Sequence, residues 1–101
     1  MRFEWDRRKD AANFRKHGVR FEEAKQIFAG PVLTRVDDRD DYGELREISL
    51  GRLSPGTALV VVHTERDEIT RIISARKAND RERRIYDDYF QRAFAGDDGD
   101  S

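Results

Sequence analysis

The chain has 101 residues, with 20 Lys and Arg against 21 Asp and Glu, a formal charge of −1 and no cysteine. That length suits one small domain, and the missing cysteines exclude a disulfide framework and a thiolate metal site. No apolar run approaches a membrane span, the longest being the strand-sized 58–62, and the first residues lack the apolar core of a secretory signal, so a cytoplasmic protein without a membrane partner is expected.

The small net charge hides segregation. Residues 1–20 carry seven basic against three acidic groups and residues 71–84 six against two, whereas 37–47 carry six acids against two Arg. Phosphate responds to a local patch and not to the total, so a nucleic-acid partner is permitted but not selected.

Residues 1–5 read as a short extended lead-in. A first helix is predicted from Asp6, an N-cap, to Lys16 and His17 in its last turn, with Gly18 as the left-handed stop. Trp5 is read as an anchor between helix and sheet in preference to a base-stacking platform. Phe21, Ala24, Ile27 and Phe28 fall on one face of a second helix over 21–28, ended by Gly30-Pro31. Four strands follow, a weak one at 32–36, then 45–53, 57–64 and 69–75, with separators short enough for an antiparallel meander. Residues 59–62 are apolar on both faces, which places that strand in the middle of the sheet. A closing helix over 79–95 starts with capping-box spacing between Asn79 and Glu82 and carries a broad apolar stripe of Ile85, Tyr86, Tyr89, Phe90 and Ala93. Residues 96–101 read as an acidic, disordered tail beyond a domain of 1–95. The expected fold is α+β: two N-terminal helices, a four-stranded antiparallel sheet and a C-terminal helix.

Common enzyme signatures are missing: there is no Gly-rich phosphate loop, no Gly-x-Ser-x-Gly elbow and no His-Glu-x-x-His. The run Asp37-Asp38-Arg39-Asp40-Asp41 is read as a solvated turn and not as a cation site. Basic and polar residues gather at strand ends: Arg46, His63 to Arg66, Arg71, Ser74 and Arg76. RNA cleavage needs no cofactor when the 2′-OH supplies the nucleophile. A base takes its proton, cationic donors hold the charge that builds on phosphorus, and an acid protonates the leaving 5′ oxygen. Arg suits the charge-holding role because its planar fork matches two phosphate oxygens. His17, His63, Glu65 or a Lys are the candidates for acid and base. Each also has a plainer reading: strand-end Arg as snorkelling surface residues, His63 as a hydrogen-bonded core histidine, Lys16 and His17 as complements to the helix dipole. Alternation places Arg71 with Ile73 but Arg76 with Ile72 and Ser74, so both reach one site only through a bulge or a strand end.

Several stretches resemble the BrnT family of toxin ribonucleases: Phe3-Glu4-Trp5-Asp6 through Lys16-His17-Gly18-Val19 to Ala24, then Arg46, Gly51-Arg52, Val60 to Arg66, and Arg71 to Arg76 leading into a basic helix around Arg81. The resemblance, over about residues 1–90, implies a compact RelE-like fold and a metal-independent ribonuclease that blocks translation. It also implies a BrnA-like ribbon-helix-helix antitoxin, with operator DNA bound only through the toxin–antitoxin complex. Mapped onto this chain, the matching residues with useful chemistry are Lys16, His17, Arg46, Arg66, Arg71 and Arg76, with no cofactor and no metal. Many BrnT-like chains carry Tyr where this one has His63, which argues against His63 as an indispensable base. A non-catalytic nucleic-acid-binding module and an interaction domain for an acidic or amphipathic partner stand as alternatives.

Overall fold

Helix α1 (Arg7–His17) begins where Asp6 caps it: the backbone N–H groups of Arg8 and Lys9 donate to Asp6 Oδ1 at 2.8 and 3.0 Å. Those bonds hold the Asp6 carboxyl below its ordinary pKa. The helix stops at Gly18, which takes φ 72° and donates its N–H to the Phe14 carbonyl at 2.8 Å, a conformation that costs a residue with a Cβ roughly 1–2 kcal/mol. The computed structural model describes the backbone of residues 1–99 and the side chains of residues 1–92.

The expected second helix is split. One turn of α-helix, α2 (Phe21–Ala24), tightens into a 3-10 turn at Lys25–Ala29. The tighter winding stacks residues three apart, so Ala24 and Ile27 share one inward side, and both are fully buried. Gly51 makes room for this turn, since a Cβ there would lie 2.8 Å from Ile27 Cβ.

Four further strands are β2 (Val32–Val36), β3 (Glu47–Ser54), β4 (Thr57–Arg66) and β5 (Ile69–Lys77), and they pair antiparallel in sequence order. The sheet has five strands, not four, because the lead-in Arg2–Glu4 forms β1 and pairs parallel with β5, in the order β1-β5-β4-β3-β2. A three-residue edge strand has no readable alternation, and its partner lies far along the chain. β4 is the central strand, and Ala58 to Thr64 are all buried. The hairpin between β4 and β5 turns on Asp67 and Glu68, both with positive φ (53° and 66°), a two-residue turn built without glycine.

One face of the sheet packs under α1, α2 and the 3-10 turn. Leu59, Val61, Ile72 and Ala75 meet Val19, Phe21, Ala24 and Ile27 there. Trp5 anchors this layer as expected, edge-on to Phe21 at 6.2 Å between ring centres. Burying each large aliphatic or aromatic group contributes about 1.5–3 kcal/mol.

Helix α3 (Asp80–Gly99) lies toward the other face, capped by reciprocal bonds between Asn79 and Glu82 at 2.8 and 2.9 Å. Of its expected inward stripe, Tyr86 is buried and its hydroxyl donates to the Pro31 carbonyl at 2.7 Å, whereas Ile85 and Tyr89 are about half exposed. The helix continues past 95 to Gly99. The tail expected from 96 has no described side chains, and residues 100 and 101 lie outside the described residues altogether.

Candidate active site

A bulge on β5 decides which face carries the basic residues. Val62 pairs with Ser74 and His63 with Ile72, so Ile73 is the extra, unpaired residue. Alternation is thereby reset, and Arg71, opposite Thr64, falls on the same face as Arg76, opposite Val60. Arg66 belongs to this face as well. So does Arg35, through its pairing with Ile48. It is the face turned away from α1 and α2.

The face holds two recesses. Between the sheet and α3 runs a groove of about 840 Å³, floored by Ile48, Leu50, Val60 and Val62. Arg35, Arg39, Arg76 and Arg81 line it against one carboxylate, Glu82, and His17 lies on its wall. Arg76 gives both guanidinium nitrogens to Glu82, at 2.8 and 2.9 Å. The pair holds the Glu82 carboxyl below its usual range and raises Arg76. At the other end a recess of about 330 Å³ contains Arg66 and Arg71 against three acids, Glu4, Glu44 and Asp67. Arg71 Nη1 donates to Glu4 Oε2 there at 2.7 Å. The partners of Arg71 and Arg76 on β4 are four residues apart, so the two side chains start roughly 13 Å from one another. A single phosphate does not span that distance; a short stretch of polyanion does.

The remaining sequence candidates fall elsewhere. Lys16 is exposed on the last turn of α1, outside both recesses. Arg46 precedes β3, with its guanidinium stacked 4.0 Å above the Tyr42 ring and Nε 3.6 Å from Glu44 Oε1. Its backbone carbonyl accepts from Asp37 N–H at 2.8 Å, which closes the 37–46 loop at its base. His63 faces the helices, 3% exposed, between Ser49 Oγ at Nε2 and Glu65 Oε2 at Nδ1, each 2.7 Å away. This is the core-histidine alternative. The geometry imitates a Ser-His-acid triad, but Ser49 is fully buried and no substrate reaches its hydroxyl.

Two groove residues were not visible in the sequence. Arg35 sits on the weakest strand and Arg39 in the acidic run, where it forks onto Asp37 with two bonds of 2.7 Å. The register of β2 against β3, closed by a loop over 37–46, brings both to the groove. No local pattern announces that register.

Residues 5–82 match the sequence profile of the family described as the ribonuclease toxin BrnT of type II toxin–antitoxin systems. In fold, the chain is similar to the crystal structure of the Brucella abortus ribonuclease toxin BrnT, with a TM-score of 0.60 and 23% identity over 78% of this chain and 97% of that one. No curated protein sequence matches it significantly. An α+β fold of the same kind and a profile match across most of the length point the same way: the chain belongs to the BrnT family of ribonuclease toxins of type II toxin–antitoxin systems.

Proposed function

We propose that this protein is a metal-independent endoribonuclease that seats the scissile phosphate in the groove between the sheet and α3. The observation that carries this reading is the charge balance of the two recesses. The groove sets four Arg against one Glu, whereas the recess around Arg71 holds more acid than base. A phosphate gains more where guanidinium groups outnumber the lining carboxylates, even with Arg76 paired to Glu82 and Arg39 to Asp37.

In this mechanism phosphate replaces Glu82 on the fork of Arg76. Arg35, Arg39 and Arg81 surround the phosphoryl oxygens as charge builds on them. His17 moves a proton, as the base for the 2′-OH or the acid for the leaving 5′ oxygen. Arg66 and Arg71, farther along the same face, hold a flanking nucleotide, and Lys16 adds positive potential beside His17. Arg46 keeps the loop that carries Arg39 in place. The product is a 2′,3′-cyclic phosphate, and cleavage of RNA in the cytoplasm arrests translation. A BrnA-like ribbon-helix-helix antitoxin restrains the activity, and only that complex contacts operator DNA.

Incubating the purified protein with RNA, with and without EDTA, tests the reaction. Cleavage is expected to survive EDTA and to disappear when the scissile nucleotide is 2′-deoxy. Arg76→Ala is expected to slow cleavage by about 10²–10³, the usual consequence of removing one preorganised charge stabiliser, with a much smaller loss of binding. Arg71→Ala, on the neutralised recess, should slow it less. EDTA-sensitive cleavage or 5′-phosphate products would overturn the mechanism. Equal losses of binding and rate for every Arg would leave a binding module without catalysis.

A further inference from the structure

On the side of the sheet opposite the basic groove, Glu47, His63 and Glu65 converge. Glu47 pairs with His63 across β3 and β4, Glu65 follows two residues along on the same face, and one donor atom from each lies within 4.8 Å of the others. Glu47 is half-buried, and its side chain has no hydrogen-bond or ion-pair partner among the described residues. Two carboxylates and an imidazole thus offer three donors to one point, and carboxylates this close gain from a shared positive charge.

Behind the imidazole, the arrangement is that of a supported ligand. His63 Nε2 lies 2.7 Å from Ser49 Oγ, which lies 2.8 Å from Thr34 Oγ1, and Phe28 meets the ring edge-on at 5.0 Å. When Nε2–H donates to Ser49 and the Ser49 hydroxyl donates to Thr34, the Nδ1 lone pair points at Glu65 Oε2, with the Glu47 carboxylate alongside. Such outer bonds fix the tautomer and ring orientation of metal-bound histidines. The geometry points to a binding site for a divalent first-row transition ion, held by His63 Nδ1 and one oxygen each from Glu47 and Glu65. Imidazole nitrogen with carboxylate oxygen suits Zn²⁺ and its neighbours, and three protein ligands leave a fourth position for water. Binding needs the Nδ1 lone pair, so a proton held there leaves as the ion arrives, and Nε2–H then donates to Ser49. The ion would tie β3 to β4 under the helices and takes no part in the chemistry of the opposite face.

The test uses the full chain, stripped of metal with a chelator and dialysed. ZnCl₂ is titrated while thermal unfolding is followed by circular dichroism, with MgCl₂ as control. A saturable rise in Tm of several degrees is expected with Zn²⁺ and not with Mg²⁺, because an ion that binds only the folded state stabilises it. Glu47→Gln should weaken Zn²⁺ binding by about tenfold or more, with little change in the metal-free Tm, because Glu47 has no partner to lose. The chain has only two histidines, so NMR separates the sites: Zn²⁺ should shift the His63 ring signals and leave those of His17 in place. An unmoved or lowered Tm, a Glu47→Gln variant that titrates like the parent, or a response at His17 instead of His63 would each overturn the site. None of these readouts involves RNA, so the outcome is separate from that of the ribonuclease test.

Discussion

Asp37 lies just beyond β2, with its side chain buried and both carboxylate oxygens taken by the guanidinium of the groove residue Arg39 at 2.7 Å. That fork holds its pKa at about 2, well below the usual carboxylate range. A depressed folded-state pKa means that the ionised form stabilises the fold. The contribution is fully present above the unfolded value near 3.8 and is lost as pH falls through about 2. Asp37→Asn is therefore expected to be less stable than the parent at neutral pH, with the gap closing across that acid window. Urea denaturation of both proteins at neutral pH and near pH 2 measures it, and a gap that stays constant would show that the carboxylate charge is not what matters. The same substitution releases Arg39 from its anchor, so it should also weaken RNA binding at neutral pH.

Two features of β5 act at the level of elements. The bulge at Ile73 lets one strand place Ile72 and Ala75 in the core while turning both Arg71 and Arg76 to the open face. Beyond the end of β1, the outer edge of β5 is covered by a side chain from α1. Asn13 Nδ2 donates to the Ala75 carbonyl at 2.8 Å, and Ala75 N–H donates to Asn13 Oδ1 at 3.0 Å. A further bond to the Val19 carbonyl at 2.9 Å ties in the chain after Gly18. One amide thus continues the ladder where no strand is present, and it is buried. Asn13→Ala leaves buried backbone groups of β5 and Val19 without partners, so a loss of about 2–3 kcal/mol is expected, against about 0.5 kcal/mol for an exposed site such as Ala12. Chemical denaturation measures both; a loss under 1 kcal/mol would mean that water replaces the amide. The sequence shows an Asn in a helix and nothing more, because its partner is sixty-two positions away.

At the scale of the whole molecule, the sheet divides two tasks. One face is packed under the N-terminal helices and supplies the core, and the other keeps an apolar floor open beneath a basic rim. An inhibitor that covers such a rim gains affinity and specificity from opposite charge. The antitoxin is therefore expected to bind there, and Arg76→Glu should weaken its binding along with RNA cleavage. Arg71→Glu should do so less, because acids already surround Arg71. Calorimetric titration with the purified antitoxin decides the matter: affinity unchanged by both substitutions would place the inhibitor elsewhere.

What the chain determined by itself is everything set by neighbours in sequence. The Asp6 cap, the Gly18 stop, the Asn79–Glu82 box and the buried 59–62 strand each depend on residues within a few positions, and each appears as read. The resemblance to BrnT also rests on such local strings, and the profile match over 5–82 agrees with it. What only tertiary structure decided depends on distant partners. β1 exists because β5 offers an edge, the 3-10 turn because Ile27 packs against Gly51, and the groove because β2 finds its register on β3 across a ten-residue loop. Alternation along β5 separates Arg71 from Arg76, and the unpaired residue at Ile73 brings them back to one face. A bulge is selected by the packing on both sides of a strand, and a linear pattern contains no record of that packing.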